Sequence, residues 1–437
     1  MKEHKNNEYF NKIAQNLDKE TADLLMYDVN DILYNYSDHQ IENTNSNYGL
    51  GFHFKKLIHQ CLIVLFYLKN VIFFKLKQKQ TIMSNAYVNV NLYGADVIRP
   101  PWVFTLKGSM INSIKILLLI EKIKRKLNRR SIKYLFSKEF KSILLQFEAE
   151  LIKGFRNYNV SAVIFPNDMA FFENFTIKVA KRYHIPSFVY LHGLPARYND
   201  VDDNRADYLV VWGNGLKKEY INAGVQSDKV LTLKHPTYSN FKQTTLTSTL
   251  DHVLVLTKPI SGVPCISTEL VLPKRSIILY YLELVKENLQ RLGVTKANLR
   301  LHPSESKAFY ADNLVDDFFT INESSKQEAL SAASLIIGPS STMLLDAIKA
   351  GKNYILFDPI LNGNTLEGIP LVKPFTGDSF IQLSNTFEQI KFNIDHPSSN
   401  IDFEKLNVFF KVEDSDLGKF YALANIKKQV VQKNLND

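Results

Sequence analysis

Short apolar runs alternate with helix-patterned or polar stretches from about position 160 onward. The first group contains SAVIF, SFVY, YLVVW and KVLTL, and after the polar stretch 237–251 the pattern restarts with HVLVL, NLRL, SLII and YILF. This alternation is typical of parallel strands wound with helices, because such strands are buried on both faces. We predict an α/β fold with two doubly wound, Rossmann-like domains, residues 1–240 and 250–437, facing each other across a cleft.

The first third of the chain is patterned differently and carries concentrated basic charge. Segments 54–79 and 111–130, around Lys69 and Lys124, combine apolar runs with lysines, AYVNVNLYG alternates like a strand, and FSKEFKSILLQFEAELIKGF predicts a helix. Neither basic segment has about 18 uninterrupted apolar residues, so neither is predicted to cross a membrane. Two interpretations stay open: core helices with solvated lysines, or helices resting on an anionic membrane surface.

Composition narrows the class of protein. A length of 437 residues suits two domains. The composition, 45% hydrophobic and 22% charged residues, is typical of a folded chain, and the net charge is +9. We predict no nucleic-acid partner, because the basic runs lack the interleaved aromatic and arginine side chains of a base-stacking groove. Cys61 and Cys265 predict no disulfide framework, and the polar N-terminus lacks the apolar core of a signal peptide. We expect a cytoplasmic protein, free or at the inner face of the membrane.

Two motifs in the predicted second domain carry the strongest chemical signal. NLRLHPSES and SLIIGPSSTMLLDAIKAGK each begin as a buried strand and then turn polar, and the second continues as a helix that Gly351 ends. Free N–H groups at a helix start attract an anion, so these strand ends predict a phosphate site. Ordinary helix capping and turn chemistry are the alternative. The candidate residues for binding a phosphate-bearing ligand are Thr257, Lys258, His302, Pro303, Ser340, Ser341 and Thr342.

Polar residues also follow the strands predicted in the first domain. In parallel sheets, ligands bind outside the carboxyl ends of the strands, which makes Asp168 and His192 candidates for catalysis. Further cleft candidates are Gly193, Asn214 and His235. The alternative for Asp168 is a helix N-cap, and for a single histidine it is a structural hydrogen bond.

The ordered set of motifs resembles a known group of enzymes. The pair HP and SS or ST, in two wound domains, resembles the GT-B bacterial sialyltransferases and polysialyltransferases, which implies that His302, Pro303 and 340–342 hold the nucleotide and phosphate of a CMP-linked donor. The tract YLHGLP resembles CDP-glycerol glycerophosphotransferases, in which the His of this tract takes part in acid–base chemistry. Capsule Kdo transferases share the layout. The likeness covers roughly residues 160–358.

The chain departs from the sialyltransferase pattern in its first domain. The family's acidic pair followed by Gly is missing there, since Asp202 and Asp203 have no following Gly. The base is therefore not assigned by the resemblance, and Asp168 is the first candidate for it and His192 the second. The resemblance implies an inverting transferase that extends a surface glycan (capsule or lipopolysaccharide), without a bound metal or other cofactor. Its acceptor would be a growing or lipid-linked glycan. A CDP-glycerol-type glycerophosphotransferase, a UDP-sugar 2-epimerase of the same fold and an inactive scaffold are the alternatives.

Overall fold

The structure is a computed structural model of the 437-residue chain, and it describes part of the chain. The described residues are 20, 21, 23–25, 61, 64, 65, 68, 81–86, 96–103, 109, 110, 113–127, 137–199, 205–258, 275–303, 305, 307–314, 316–360, 365, 366 and 370–426. The predicted strand AYVNVNLYG, Lys69 with most of segment 54–79, and the acidic pair at 202 and 203 lie outside these ranges.

The first domain is built on a seven-stranded sheet whose strands all run parallel. Its strand order is β3-β2-β1-β4-β5-β6-β7, the doubly wound arrangement in which the chain first builds outward on one side of β1 and then on the other. The strands are β1 (Thr81–Ser84), β2 (Asp96–Arg99), β3 (Ser109–Met110), β4 (Val160–Phe165), β5 (Ser187–Tyr190), β6 (Tyr208–Val211) and β7 (Val230–Thr232).

The second domain repeats the design with six parallel strands in the order β10-β9-β8-β11-β12-β13. The predicted α/β fold with two doubly wound sheets is therefore confirmed. The strands are β8 (Val253–Leu256), β9 (Ala297–Arg300), β10 (Phe319–Ile321), β11 (Leu335–Gly338), β12 (Tyr354–Phe357) and β13 (Leu383–Ser384).

Helices connect and cover both sheets. In the first domain they are α1 (Ile114–Leu127), α2 (Lys138–Asn157), α3 (Phe171–Arg182) and α4 (Asn214–Asn222). From position 275 onward they are α5 (Arg275–Arg291), α6 (Lys307–Asn313), α7 (Lys326–Ala332), α8 (Met343–Lys349), α9 (Phe387–Asp395), α10 (Pro397–Asn400), α11 (Phe403–Phe410) and α12 (Leu417–Leu423). The predicted stop after α8 is confirmed, because Gly351 has φ +68°, a backbone conformation that other residues rarely adopt.

Alternate strand residues divide the core of the second domain into two layers. On β8, Leu254 and Leu256 join the large apolar cluster that extends into the first domain, whereas Val253 and Val255 join a separate cluster on the other face. This division follows from the two-residue period of a strand, which points successive side chains to opposite faces. One face of the second sheet is thereby continuous with the core that the first domain uses.

The C-terminal helices return to the first domain. The ring of Phe420 on α12 lies 5.0 Å from that of Phe188 on β5, and Asp416 accepts the backbone N–H of Thr232 at 2.8 Å. Lys217 on α4 forms an ion pair with the same carboxylate at 3.2 Å. By these contacts α12 packs against the first sheet, although it follows the second sheet in sequence. The domain ranges 1–240 and 250–437 stay a prediction.

Candidate functional site

Lys258 and Ser340 meet where two neighbouring strands of the second sheet end. Strands β8 and β11 pair directly, and the Lys258 ammonium donates to the Ser340 hydroxyl at 2.7 Å and to its carbonyl at 3.2 Å. Burial lowers the pKa of Lys258 to about 8, against the opposing charge of Asp358. At neutral pH the ammonium remains mostly protonated, so the strand edge presents a desolvated positive charge.

The HP motif lies at the end of β9, on the other side of β8. The backbone N–H of His302 donates to Glu305 Oε2 at 2.9 Å, and the hydroxyl of Thr257 donates to the same oxygen. Tyr310 donates to Glu305 Oε1 at 2.5 Å. Glu305 thus fixes the turn that carries the imidazole, while Pro303 lies exposed beside it.

The His302 side chain is exposed, and its surroundings lower the pKa of the imidazole. Desolvation lowers its pKa, Glu305 opposes this effect, and the charges of His192 and Lys258 reinforce it. The influence of His192 is informative, because that residue belongs to the first domain. The two histidines are close enough for their charges to interact across the domain boundary.

The three hydroxyls of the GPSST loop have different partners. Ser340 accepts from Lys258, Ser341 accepts the N–H of Met343 at 3.3 Å, and Thr342 accepts the N–H of Leu194 at 2.7 Å. Ser341 therefore acts in part as a local cap, as the alternative interpretation expects. The Thr342 hydroxyl is engaged with the first domain, which sequence analysis did not predict.

His192 follows β5 and is exposed on the first-domain side of the site. Its Nδ1 lies 2.6 Å from the Pro166 carbonyl oxygen, which can only accept, so Nδ1 carries a proton. In the neutral form of the ring, the lone pair is therefore on Nε2. The preceding carbonyl, that of Leu191, accepts from Trp212 Nε1 at 2.6 Å. Two hydrogen bonds therefore orient the imidazole, one made by the ring itself and one made by the carbonyl of the preceding residue.

Gly193 permits the close approach of the two domains beside His192. A Cβ at this position would lie 2.9 Å from Thr342 Oγ1, closer than a side-chain carbon tolerates. The glycine of the HG-P tract therefore has a packing reason that lies in the other domain.

Asp168, the first candidate for the catalytic base, is buried and ion-paired. Its side chain is fully buried, and it accepts the backbone N–H of Arg205 at 2.6 Å and the guanidinium at 3.5 Å. Arg205 in turn pairs with Asp23 at 2.7 Å. Nor is Asp168 the N-cap of α3, since Ala170 occupies that position and no side chain caps the helix. The turn before α3 is held by Asn167, which accepts the N–H groups of Met169 and Ala170. A buried, ion-paired carboxylate is poorly placed to take a proton from an incoming hydroxyl.

His235 lies in a packed environment at the end of the first domain. Its ring stacks on Tyr238 at 4.5 Å and contacts Trp212 at 4.7 Å, and Nδ1 accepts the backbone N–H of Thr237 at 3.0 Å. Burial lowers its pKa to about 4. The imidazole is therefore neutral at physiological pH, and these contacts favour a structural role.

Asn214, the remaining cleft candidate, begins α4. Its backbone N–H donates to the Lys411 carbonyl at 2.9 Å, and the glycines on either side of it pack against Phe409 and Phe410 of α11. These contacts attach the start of α4 to the C-terminal helices. A ligand role for Asn214 stays a prediction.

Two acidic residues of this site were not predicted from the sequence. Glu305 stands two positions after the HP pair. A carboxylate at this spacing can accept a backbone N–H of the turn, so its contact could have been predicted from the sequence. Asp358 directly follows β12, and its Oδ1 accepts the N–H of Leu366 at 3.0 Å. Its Oδ2 is buried without a hydrogen-bond partner among the described residues. Burial raises the pKa of Asp358, against the effect of nearby Lys258. Among the residues that the structure describes, no group of acidic, His or Cys side chains could hold a metal ion.

The basic helix α1 is partly a core element. Six of its apolar side chains are buried, and the Lys124 ammonium donates to the Trp102 carbonyl at 3.1 Å, near the ring of Phe172. Ile114 and Leu118 remain 40% and 44% exposed. The core-helix interpretation therefore holds for the buried face of α1.

No protein-family model matches the chain, and no curated protein matches its sequence. Among solved structures, it is similar to the wall teichoic acid polymerase TagF, with 14% identity and a TM-score of 0.38 over 84% of this chain and 97% of that one. It is also similar to UDP-N-acetylglucosamine 2-epimerase from Rickettsia bellii, with 9% identity and a TM-score of 0.39 over 80% and 94%. A third similar structure is HepE from Anabaena, solved with UDP-glucose. It has 9% identity and a TM-score of 0.42 over 80% of this chain and 98% of that one. These values are too low to transfer an activity to this chain.

Proposed function

We propose that this chain is a transferase that moves a group from a nucleotide-linked donor to a hydroxyl of a bacterial surface glycan. The observation that carries the proposal is the meeting of two unlike groups across the domain boundary. His192, whose Nε2 has the lone pair in the neutral ring, belongs to a loop that contacts the GPSST loop of the second domain. On that side stand Lys258, His302 and Ser340, which can donate hydrogen bonds or carry positive charge. A base facing an anion-binding edge is the arrangement that acyl, glycosyl or phosphoryl transfer to a hydroxyl needs.

The donor that we propose is CMP-linked, of the sialic acid or Kdo type, and this choice depends on the resemblance of the HP and SST motifs. Lys258 and His302 would contact the phosphate, and Ser340 would orient the lysine. The adjacent turn, fixed by Glu305, would hold His302 in place. We propose no metal and no cofactor beyond the donor, because the lysine and imidazole supply the charge that a phosphate leaving group needs.

In the proposed reaction, His192 Nε2 takes the proton of the acceptor hydroxyl as its oxygen attacks the anomeric carbon of the donor. The bond between that carbon and the phosphate oxygen breaks, and CMP leaves with the electron pair. Lys258 and His302 stabilise the charge that gathers on the phosphate. Attack opposite the leaving group inverts the anomeric centre.

A second candidate is a glycerophosphotransferase that uses a CDP-linked polyol. The exposed position of His192 in the HG-P tract, together with the burial of Asp168, favours it. In this case the acceptor oxygen attacks the phosphorus distal to the nucleoside, and the leaving group is again CMP. The same residues would perform the same roles, so the two candidates differ in whether phosphate is transferred with the organic group.

A donor panel tests the proposal and separates the candidates. Thermal shift with CMP, CDP, UMP, UDP and GDP should show stabilisation by the cytidine nucleotides, about 2.7 kcal/mol at a hundred times the dissociation constant. Incubation with CMP-sugars and CDP-glycerol should release CMP only when a glycan acceptor is present. Phosphorus in the product identifies the glycerophosphotransferase, and epimerisation of a UDP-sugar without acceptor would contradict both. Stabilisation by no nucleotide would contradict the donor site.

We also propose that the first domain contacts an anionic membrane surface, where lipid-linked acceptors would lie. None of the helices among the described residues is long and apolar enough to span a bilayer. Cys61, Val64, Leu65 and Leu68 are exposed at helical spacing, with Leu65 60% exposed, inside a segment rich in lysine. An apolar helix face with basic neighbours suits the interface of an anionic leaflet.

Vesicle binding should therefore rise with phosphatidylglycerol content and fall with salt, because exposed charges are screened within about 8–10 Å. Leu65→Gln should reduce co-sedimentation, since it removes apolar area from the exposed face. Ile360→Gln is the matched control, as Ile360 is also 60% exposed and lies just after β12 of the second sheet. Equal recovery with neutral and anionic vesicles would contradict the membrane contact.

A further inference from the structure

The loop that carries His192 is held at three points, and the third comes from the other domain. The Leu191 carbonyl accepts from Trp212, and the His192 ring donates to Pro166, both within the first domain. The Leu194 N–H donates to Thr342 Oγ1 at 2.7 Å, across 148 positions of sequence. This last bond ties the His192 loop to the GPSST loop, in which Ser340 holds Lys258.

The surroundings of Thr342 make this bond specific. The hydroxyl of Thr342 does not cap its own helix, α8, so its hydrogen-bonding capacity is used across the boundary. Gly193 leaves the space that the hydroxyl needs, because a Cβ there would lie 2.9 Å from Oγ1. The helix that follows is held to the first domain a turn later, where Tyr238 donates to Asp346 at 2.8 Å.

We infer that Thr342 is a positioning residue, which sets His192 in register with the phosphate-binding Lys258 and His302. The motif alone assigned this hydroxyl to the donor, whereas the geometry gives it to the backbone beside the base. The inference rests on the proposed function for its catalytic consequence, but the hydrogen bond itself is independent of any activity. A shift of about 1 Å between a base and a reacting hydroxyl costs about 100-fold in rate, so one such bond matters.

Hydrogen exchange tests the bond without reference to activity. In Thr342→Val, which keeps the shape and loses the hydroxyl, the Leu194 amide should exchange about fivefold faster or more, with and without CMP. Thr342→Ser should retain wild-type exchange. Ser341→Ala is the control for this measurement, because the Ser341 hydroxyl accepts from Met343 and not from the His192 loop. Unchanged Leu194 exchange in Thr342→Val would overturn the inference.

Kinetics test the positioning role. Thr342→Val should lower kcat by about 10- to 100-fold while the dissociation constant for CMP stays within about twofold, and Thr342→Ser should restore kcat. A parallel weakening of CMP binding would return Thr342 to the donor site and overturn the inference. Faster Leu194 exchange with unchanged kcat would overturn it too. Failure of the proposed function can be distinguished from failure of this inference. In that case the wild-type protein itself would neither bind cytidine nucleotides nor transfer a group.

A double-mutant cycle adds an independent arm. Gly193→Ala alone should mimic Thr342→Val, because its Cβ displaces the hydroxyl. In a Thr342→Ala background, where that space is open and the bond is already lost, Gly193→Ala should cost little more. Additive losses in kcat would show that the two residues act separately. That result would contradict a joint role through the hydrogen bond between Leu194 and Thr342.

Discussion

His192→Ala should lower kcat by about 10²- to 10⁴-fold, the usual contribution of a general base, with donor affinity nearly unchanged. The reason is its placement. The Pro166 carbonyl fixes the proton on Nδ1 and leaves Nε2 as the acceptor, while the residues assigned to the phosphate stand in the other domain. Loss of the imidazole therefore removes proton transfer and spares the contacts to the nucleotide. Steady-state kinetics with an acceptor series, together with calorimetric CMP binding, measures both quantities.

The control is His252→Ala, an exposed histidine directly before β8, at the opposite end of that strand from Lys258. It should leave kcat and CMP binding as in wild type. Asp168→Asn provides the competing arm: breaking its buried pair with Arg205 should cost about 3–5 kcal/mol of stability. If folded Asp168→Asn lost as much kcat as His192→Ala, with an unchanged melting temperature, the base would be Asp168. Full turnover in both variants would place the base outside the residues proposed.

Lys258→Met should weaken CMP binding by about 10-fold or more, because one charge-assisted hydrogen bond to phosphate contributes about 1.5–3 kcal/mol. The fold should survive, since Met fills a similar volume and removes a charge that burial already disfavours. Lys296→Met, an exposed lysine before β9, is the matched control. Unaltered CMP affinity in Lys258→Met would remove this lysine from the donor site.

The pH dependence of binding supplies an internal check on the same residue. Burial lowers the pKa of Lys258 to about 8, so the ammonium loses its proton as pH rises through that value. CMP affinity of the wild type should therefore fall above about pH 8, by at most tenfold per pH unit for one proton. Lys258→Met has no proton to lose at this position, and its weaker affinity should be flat over the same range. Parallel profiles for the two proteins would assign the titration to another group.

Much of the fold and half of the site could be predicted from periodicity and strand ends. Parallel strands with a βαβ connection place their carboxyl ends on one edge, so the residues that follow β8, β9 and β11 had to lie together. Lys258, His302 and Ser340 were accordingly predicted as one group, and the structure brings them to one edge. The strands β1 and β2 were missed, because short runs such as TIMS and DVIR lie among basic and proline-rich residues that carry no clear period.

The sequence by itself determined which residues stand at the ligand-facing ends of the strands, since local periodicity sets strand boundaries and pairing rules set the edge. Tertiary structure decided what those residues contact. Asp168 and His192 follow consecutive strands, and their local sequences made both candidates for the base. Asp168 is nevertheless buried against Arg205, whereas His192 is exposed toward the second domain. Thr342 likewise reaches a partner 148 positions away. Such contacts depend on how two sheets pack and on the space that one glycine leaves, and no local pattern encodes either.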